Sequence, residues 1–391
     1  MNFSREGKIF LSCGRGLQPF LAAELQKLGF PVDREAFSGV ASHAALSDTM
    51  RMNLFLRTAS RVLFQLEEFR ASDPKALYLR LVDLAWEDWI SEDGHVSVTS
   101  STDTPEIRDT RYANQKCKDA IVDRIRRKTG RRPDAGPERD RAVVHLFWKG
   151  DHCSVFFDTS GEPLAKRGYR RIPFLAPLSE TTVAAAIMAA GWKDTGHFVN
   201  PMCGSGTFAI EAALTGLDRP AGILRDNFGF MHLKGFDRRA WSSLRESARK
   251  MARPGLSHRI IATDIDPQAV EAARKNAMTA GVDHLIDFSV CDFASTPVPE
   301  GGGVVMLNPE YGGRLGREAD LEAVYRRIGD FFKQRCSGYR GYVFTGNLAL
   351  AKKVGLRTSR RLTFYNSTIE CRLLEYELYR GSAKERGAVG T

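Results

Sequence analysis

The sequence has no Cys-x-x-Cys pair, no His-x-x-x-His pair and no apolar run long enough to cross a bilayer. Each absence removes a class of protein. The seven cysteines are odd in number and widely spaced, which argues against a disulfide framework or a thiolate zinc site and for a reducing compartment. The longest apolar run, VAAAIMAA, falls far short of the roughly 20 residues of a membrane helix. The opening residues MNFSREGKIFLSC carry charge where a secretory signal has its apolar core. These absences predict a cytoplasmic protein with no membrane association and no metal. The glycine-containing stretch NPMCGSGT (200–207) also lacks the lysine of a Walker loop and the last glycine of a dinucleotide fingerprint.

Negative charge is the scarcer sign. There are 47 Asp and Glu against 57 Lys and Arg, a net charge of +10 that favours a polyanionic partner. The excess is concentrated. KCKDAIVDRIRRKTGRRPDA predicts a helix with Ile121, Val122 and Ile125 on one face and basic residues on the other. Arg124–Arg141 holds eight cationic and three acidic residues, and KRGYRR (166–171) adds four cations around one aromatic. Such stretches are either solvated helix faces or surfaces that track phosphates.

Along the chain the first half reads as α+β. KIFLSC is a short strand, and GLQPFLAAELQKLG is a helix with Phe20, Leu21, Leu25 and Leu28 at helical spacing and Gly29 at its cap. A strand follows near Gly39–Leu46, then a helix through MRMNLFLRTASRVLFQL. HVSVTSS, AVVHLFWKG and HCSVFFDTSG read as strands. From about residue 175, strands and helices alternate, which predicts a parallel, doubly wound sheet with ligands at the carboxyl ends of its strands. The last residues, GSAKERGAVGT, hold no core-forming side chains and are expected to form a disordered tail, 382–391.

Four elements can carry chemistry. Gly204 and Gly206 follow a strand and precede a helix, where glycine permits a tight turn and close approach of a ligand. Asp264 ends the strand RIIATD, where a carboxylate can accept from ribose hydroxyls. Asp266 precedes Pro267 and a helix, and is better explained as an N-cap. Asp292 ends FSVCD and has two readings, an acceptor for an adenine amino group or a loop cap. The fourth element is LNPEYGG (307–313). The Asn308 side-chain oxygen and the Pro309 carbonyl can converge on an exocyclic amine and orient its lone pair, and Tyr311 offers a face for a flipped base.

Together these elements resemble the class I S-adenosylmethionine-dependent methyltransferases of the Asn-Pro-Pro-Tyr type. KCKDAIVDR (116–124), DTSGEPLAKRGYR (158–170), LAPLSETTVAAAIMAAGW (175–192), the insert RPAGILRDNFGFMHLKGFDRRAW and NSTIECRLLEY extend the likeness. They are similar to the bacterial THUMP-containing 23S ribosomal RNA guanine-N2 methyltransferases over nearly all of residues 1–380. The resemblance implies an α/β fold with a ferredoxin-like segment (1–45), a THUMP RNA-binding domain (46–160) and a Rossmann-like methyltransferase domain (161–381). It implies S-adenosylmethionine as methyl donor, held by Asn200, Gly204, Ser205, Gly206, Asp264 and Asp292, with Glu180 and Thr181 bordering its carboxylate. It places Asn308, Pro309 and Tyr311 at the target base and Lys118, Lys166, Arg167 and Arg170 at RNA. The implied partner is RNA, as 23S rRNA or a ribosomal assembly intermediate.

The chain departs from that pattern in places. Asn200 stands where the family usually has Asp, and Ala165 replaces a more polar residue. The larger bacterial relatives carry a second methyltransferase domain. Glu310 replaces the second proline of the loop, with three readings: a residue that points to solvent or pairs with Arg314 or Arg317, a reader of guanine N1–H and N2–H, or a mark of a degenerate loop. The rival functions are a tRNA guanine-N2 methyltransferase, a DNA adenine-N6 methyltransferase and a non-catalytic RNA-binding assembly factor.

Overall fold

The computed structural model describes residues 3–107, 109–172, 178–310 and 318–379. The expected tail lies outside them. The chain divides into two compact units, one of residues 1–167 with 220–250, the other of 168–219 with 251–391.

The first unit is built on an eight-stranded sheet. Its strands are β1 (Glu6–Cys13), β2 (Arg34–Ala36), β3 (Gly39–Ala45), β4 (Ala59–Arg70), β5 (His95–Asp103), β6 (Asp134–Ala135), β7 (Ala142–Lys149) and β8 (His152–Asp158). Their order is β2-β3-β1-β4-β8-β7-β5-β6, so the stretches expected as ferredoxin-like and THUMP share one continuous sheet. Helices α1 (Gln18–Lys27), α2 (Thr49–Phe55), α3 (Pro74–Val82) and α4 (Thr110–Thr129) accompany it. α1 buries Leu21 and Leu25 and is followed by Gly29 at φ +82°, a conformation that favours glycine at a helix end. α4 buries Ile121, Val122 and Ile125 as its pattern predicts, and stops at left-handed Gly130.

One expected helix is half a strand. MRMNLFLRTASRVLFQL is helical only to Phe55, where Leu56 turns extended at ψ 126°. The remainder belongs to β4, which pairs antiparallel with β1 on one edge and β8 on the other. Val62, Leu63 and Phe64 are all buried, so this central strand is covered on both faces and shows no alternation. A short apolar run of that kind cannot be told from a helix by periodicity.

The second unit holds a seven-stranded sheet. Its strands are β9 (His197–Pro201), β10 (Ile260–Asp264), β11 (Ile286–Val290), β12 (Gly303–Leu307), β13 (Tyr339–Thr345), β14 (Arg360–Asn366) and β15 (Ile369–Glu377). The order is β11-β10-β9-β12-β13-β15-β14. The first five strands in that order are mutually parallel, as expected, while β15 runs antiparallel to both β13 and β14. Helices α5 (Glu180–Ala189), α6 (Thr207–Gly216), α8 (Pro267–Ala280), α9 (Glu318–Arg335) and α10 (Leu348–Lys352) belong to this unit. Between α6 and β10 the chain returns to the first unit for residues 220–250, which include α7 (Arg238–Lys250). Strand order reverses between neighbours β9 and β12, and such a switch point opens a crevice at the carboxyl ends of the strands.

The core of this unit sets α9 against the sheet. Tyr325, Ile328, Phe331 and Phe332 pack with Val305, Leu307, Val343 and Tyr376. Gly329 lies on α9 in close approach to Val354, because a Cβ there would sit 1.9 Å from the Val354 carbonyl oxygen. Glycine in an exposed helix gives up about 1 kcal/mol relative to alanine. Here the substitution forces a backbone shift instead, so Gly329→Ala is expected to lower the unfolding free energy by about 1–3 kcal/mol in denaturant titrations.

Candidate active site

The crevice is lined by the ends of β9, β10 and β12, and by the turns that leave them. β9 ends at Asn200 and Pro201, which lie in register with Ala262 and Thr263 of β10. The turn after it is tightly wound. Met202, Gly204 and Gly206 take φ of +58°, +54° and +83°. Left-handed backbone is uncommon for methionine and is held here by the Cys203 N–H, which donates to the Thr263 carbonyl at 2.9 Å. A Cβ on Gly204 would meet nothing within 4 Å, whereas one on Gly206 would lie 2.9 Å from the Ala273 Cβ. Gly206 is therefore required by packing against α8, and Gly204 faces open space beside the strand ends. Burial, reinforced by the charge of Asp264, pushes the Cys203 thiol up, so it stays protonated and is no nucleophile.

Asn200 explains its own departure from the expected aspartate. The side chain is fully buried, and its Nδ2 donates to the Met306 carbonyl at 2.9 Å, joining β9 to β12. A carboxylate there would set oxygen against oxygen. The Asn200 Oδ1 is sealed from solvent with no hydrogen-bond partner. Two residues after Met306, the Asn308 Oδ1 is likewise sealed and without a partner among the described residues. Buried, unsatisfied acceptors cost about 1–3 kcal/mol each, and two of them at the ends of neighbouring strands mark a place shaped for a donor group. Pro309 is buried and Glu310 is exposed. The Glu310 carbonyl accepts from the Tyr325 hydroxyl at 3.4 Å, and that hydroxyl also meets Thr345 Oγ1 at 2.7 Å, so α9 and β13 anchor the loop's backbone. Tyr311, Arg314 and Arg317 lie outside the described residues.

Asp264 stands at the end of β10. One carboxylate oxygen accepts from the Gly204 N–H at 2.9 Å and the other from the Asp266 N–H at 3.1 Å. It thus clamps the glycine turn. Asp266 caps α8, accepting from the Gln268 N–H at 2.7 Å ahead of Pro267. Asp292 makes the capping contact of its second reading, taking the Ala294 N–H at 2.9 Å. The Arg327 guanidinium also donates to it at 2.6 Å and holds its carboxyl below the usual range. Glu180 and Thr181 begin α5 and are buried. Thr181 Oγ1 lies 3.1 Å from Ser179 Oγ, and Glu180 faces Arg170 at 3.5 Å.

The four cations expected at RNA are dispersed. Arg167 is 1% exposed, and its guanidinium donates to the carbonyls of Leu164 and Arg57. Arg170 bridges the starts of α5 and α6 by donating to the Leu178 carbonyl at 2.7 Å and Thr207 Oγ1 at 3.0 Å. Both guanidinium groups are engaged by protein acceptors, and the Arg170 Nε is sealed without a partner among the described residues. Lys118 bonds Gln115 at 3.0 Å on its own helix, and exposed Lys166 pairs with Glu162.

Asn276, on α8, escaped the sequence reading. It is fully buried and uses its whole hydrogen-bonding capacity. Nδ2 donates to the carbonyls of Ile172 and Ser205 at 2.9 and 3.1 Å, and Oδ1 accepts from the N–H groups of Arg171 and Ile172 at 2.9 and 3.0 Å. The glycine turn is thereby fixed to the segment that follows Arg170. A signal was available, since Asn276 falls on the apolar stripe of Ala269, Ala273 and Ala280. Among the described residues no group of His, Cys, Asp and Glu is placed to hold a metal, and no helix is long and apolar enough to cross a membrane.

Comparison with known proteins gives this architecture a family. Residues 8–63 match the RlmL ferredoxin-like domain, 71–158 the THUMP domain, and 167–375 the RMKL-like methyltransferase domain. The ribosomal RNA large subunit methyltransferase K/L of Syntrophotalea carbinolica is 37% identical over 95% of this chain, which spans 53% of that relative's length. A Synechocystis protein provisionally named an RNA methyltransferase is 34% identical over 95% of this chain and 96% of its own. The crystal structure of a provisionally assigned methyltransferase complexed with SAH superposes with a TM-score of 0.88 at 26% identity, covering 98% of this chain and 100% of that one. The chain spans about half the length of the K/L relatives it matches. It belongs to the family of the RMKL-like methyltransferase domain, joined on its N-terminal side to THUMP and RlmL ferredoxin-like domains.

Proposed function

We propose that this chain methylates RNA, moving a methyl group from S-adenosylmethionine to the exocyclic N2 of a guanine in 23S ribosomal RNA. The observation that carries the reading is the buried Asn308 Oδ1, unpartnered among the described residues, just past the end of β12 at the switch point. RNA is favoured over DNA by the match of residues 71–158 to a THUMP domain, and the large-subunit substrate by the names of the K/L relatives.

When bound, S-adenosylmethionine supplies an electrophilic methyl on a sulfonium, so the protein's part is to bind, orient and exclude water. Asn200, Gly204, Ser205, Gly206, Asp264 and Asp292 are the residues that would hold it, with Glu180 and Thr181 at the start of α5. The Asn200 Oδ1 is a ready acceptor for a cationic or amide donor. Asn308 Oδ1 and the Pro309 carbonyl take the two N–H groups of the guanine amine and turn its lone pair outward. Tyr311 stacks the flipped base. Glu310 brings a carboxylate that can accept the neighbouring guanine N1–H. Exposed basic residues of the first unit, including those of α4, supply contacts to RNA phosphates.

Methyl transfer from labelled donor to in-vitro-transcribed 23S rRNA and to duplex DNA tests this reading. The rRNA is expected to be labelled and the DNA not; labelling of DNA alone contradicts it. Asn308→Ala is expected to cut turnover about a hundredfold, the scale of a misplaced reacting group, with unchanged S-adenosylhomocysteine affinity by calorimetry. Glu310→Gln is expected to lower turnover on the guanine substrate by about tenfold, the worth of one charge-assisted hydrogen bond, again with donor binding intact. Full turnover in that variant would assign Glu310 to solvent. Asn276→Asp puts acceptor oxygens against the Ile172 and Ser205 carbonyls. It is expected to weaken S-adenosylhomocysteine binding by about tenfold or more and to lower stability by about 2–4 kcal/mol, read by calorimetry and denaturant titration.

A further inference from the structure

The segment 220–250 carries a cavity of about 270 Å³ that the site above does not use. One wall is a face of α7, where Arg238, Trp241, Ser242, Arg245 and Arg249 recur at helical spacing. The other wall includes Asp226, Met231 and Phe236. Trp241 is buried against Phe228 and Phe230, in edge-to-face contacts at 5.4 and 5.1 Å, so the floor is rigid.

Two of the three arginines are set at electrostatically costly positions, while Arg249 lies in the last turn of α7, where a cation is favoured. Arg238 stands in the first turn of α7, at the positive end of the helix dipole, where the adjacent Asp237 carboxylate is used in capping the Arg239 and Ala240 N–H groups at 2.8 and 3.0 Å. Arg245 and Arg249 are like charges one turn apart, a destabilising spacing. Neither Arg238 nor Arg249 has a hydrogen-bond or ion-pair partner among the described residues, and both are exposed. Arg245 sits deeper. Its Nη2 donates to the Ile223 carbonyl at 2.9 Å, while its Nε is sealed without a partner. The carboxylate facing it, Asp226, is 3.8 Å away and 96% exposed, too solvated to neutralise three guanidinium groups. Lys250 and Glu246 satisfy each other at 2.7 Å.

We propose that this face of α7 is a phosphate-binding cleft for RNA, in which Arg238, Arg245 and Arg249 converge on a backbone phosphate and Ser242 offers a hydroxyl. A phosphate offsets the like-charge pair of Arg245 and Arg249 and gives the two exposed, unpaired guanidinium groups an acceptor. The cleft rests on the RNA reading given above and adds to it a second anchoring point, distinct from the donor and base site and from α4.

The test is binding of the full chain to 23S rRNA transcript, by filter retention across a salt series. Arg238→Glu/Arg249→Glu is expected to bind at least tenfold more weakly and to shed about one unit of the slope of log affinity against log salt. The neutral pair Arg238→Gln/Arg249→Gln is expected to fall between this variant and the parent. Reversing two exposed cations of the same unit outside the cleft, Lys27→Glu/Arg34→Glu, is expected to change affinity by less than about twofold. S-adenosylhomocysteine affinity and the denaturant unfolding profile are expected to be unchanged in all three, which together report the folding of both units. Parent-like binding by both cleft variants overturns the cleft alone, as does an equal loss in the Lys27/Arg34 variant. Absence of RNA binding by the parent chain overturns the RNA reading and the cleft with it.

Discussion

The hydrogen bond from Asn200 Nδ2 to the Met306 carbonyl is the constraint on which the site depends. It joins the two strands on either side of the switch point at the place where each is about to turn. Everything that follows in sequence is positioned from there. Four residues after Asn200, the Gly204 N–H meets Asp264 and fixes the glycine turn to β10. Two residues after Met306, Asn308 emerges with its oxygen buried. Asn276 then binds the far side of the same turn through the Ser205 carbonyl. Each bond contributes only about 1 kcal/mol net. Their larger effect is geometric, because transfer between two bound groups is governed by placement to within an ångström.

The same contacts show where stability is given up. Asn200 and Asn308 each keep an acceptor out of water and unmatched, and Met202 holds a backbone conformation that favours glycine. Three local penalties at the ends of neighbouring strands are hard to reconcile with a passive turn, and strain of this kind clusters where a ligand repays it. The surrounding packing absorbs the cost. α9 lays Tyr325, Ile328, Phe331 and Phe332 across the sheet, and the Tyr325 hydroxyl reaches the backbone of Glu310. The loop that breaks the family's proline pattern is thus anchored by a phenol at the position where the proline is missing.

How much of this was legible follows from what one-dimensional patterns encode. The alternating strands and helices of the second unit were readable because each parallel strand is a short apolar run bounded by turn residues. Asp266 was readable as a cap because Pro267 and an amphipathic helix follow it. β4 was not, since a central strand buried on both faces has no alternation to display. Charge was a poor guide to position. Arg167 and Arg170 look like RNA contacts in KRGYRR, yet they are held by carbonyls and hydroxyls of the protein, because sequence shows a cation but not its burial. The arginines of α7 were passed over for the opposite reason: they are scattered at helical spacing rather than clustered in a run. Asn200 reads in the sequence only as a departure from the family's Asp, because the Met306 carbonyl that suits an amide there lies far along the chain.

The central claim, methylation of a guanine N2 in large-subunit ribosomal RNA, is tested most directly by mass mapping of modified nucleotides in rRNA from cells with and without this protein. The account predicts one N2-methylguanosine in 23S rRNA that disappears without the protein and returns with the intact chain. Identical modification maps in both cells, or loss of a methyl group from another base or another RNA, would contradict it.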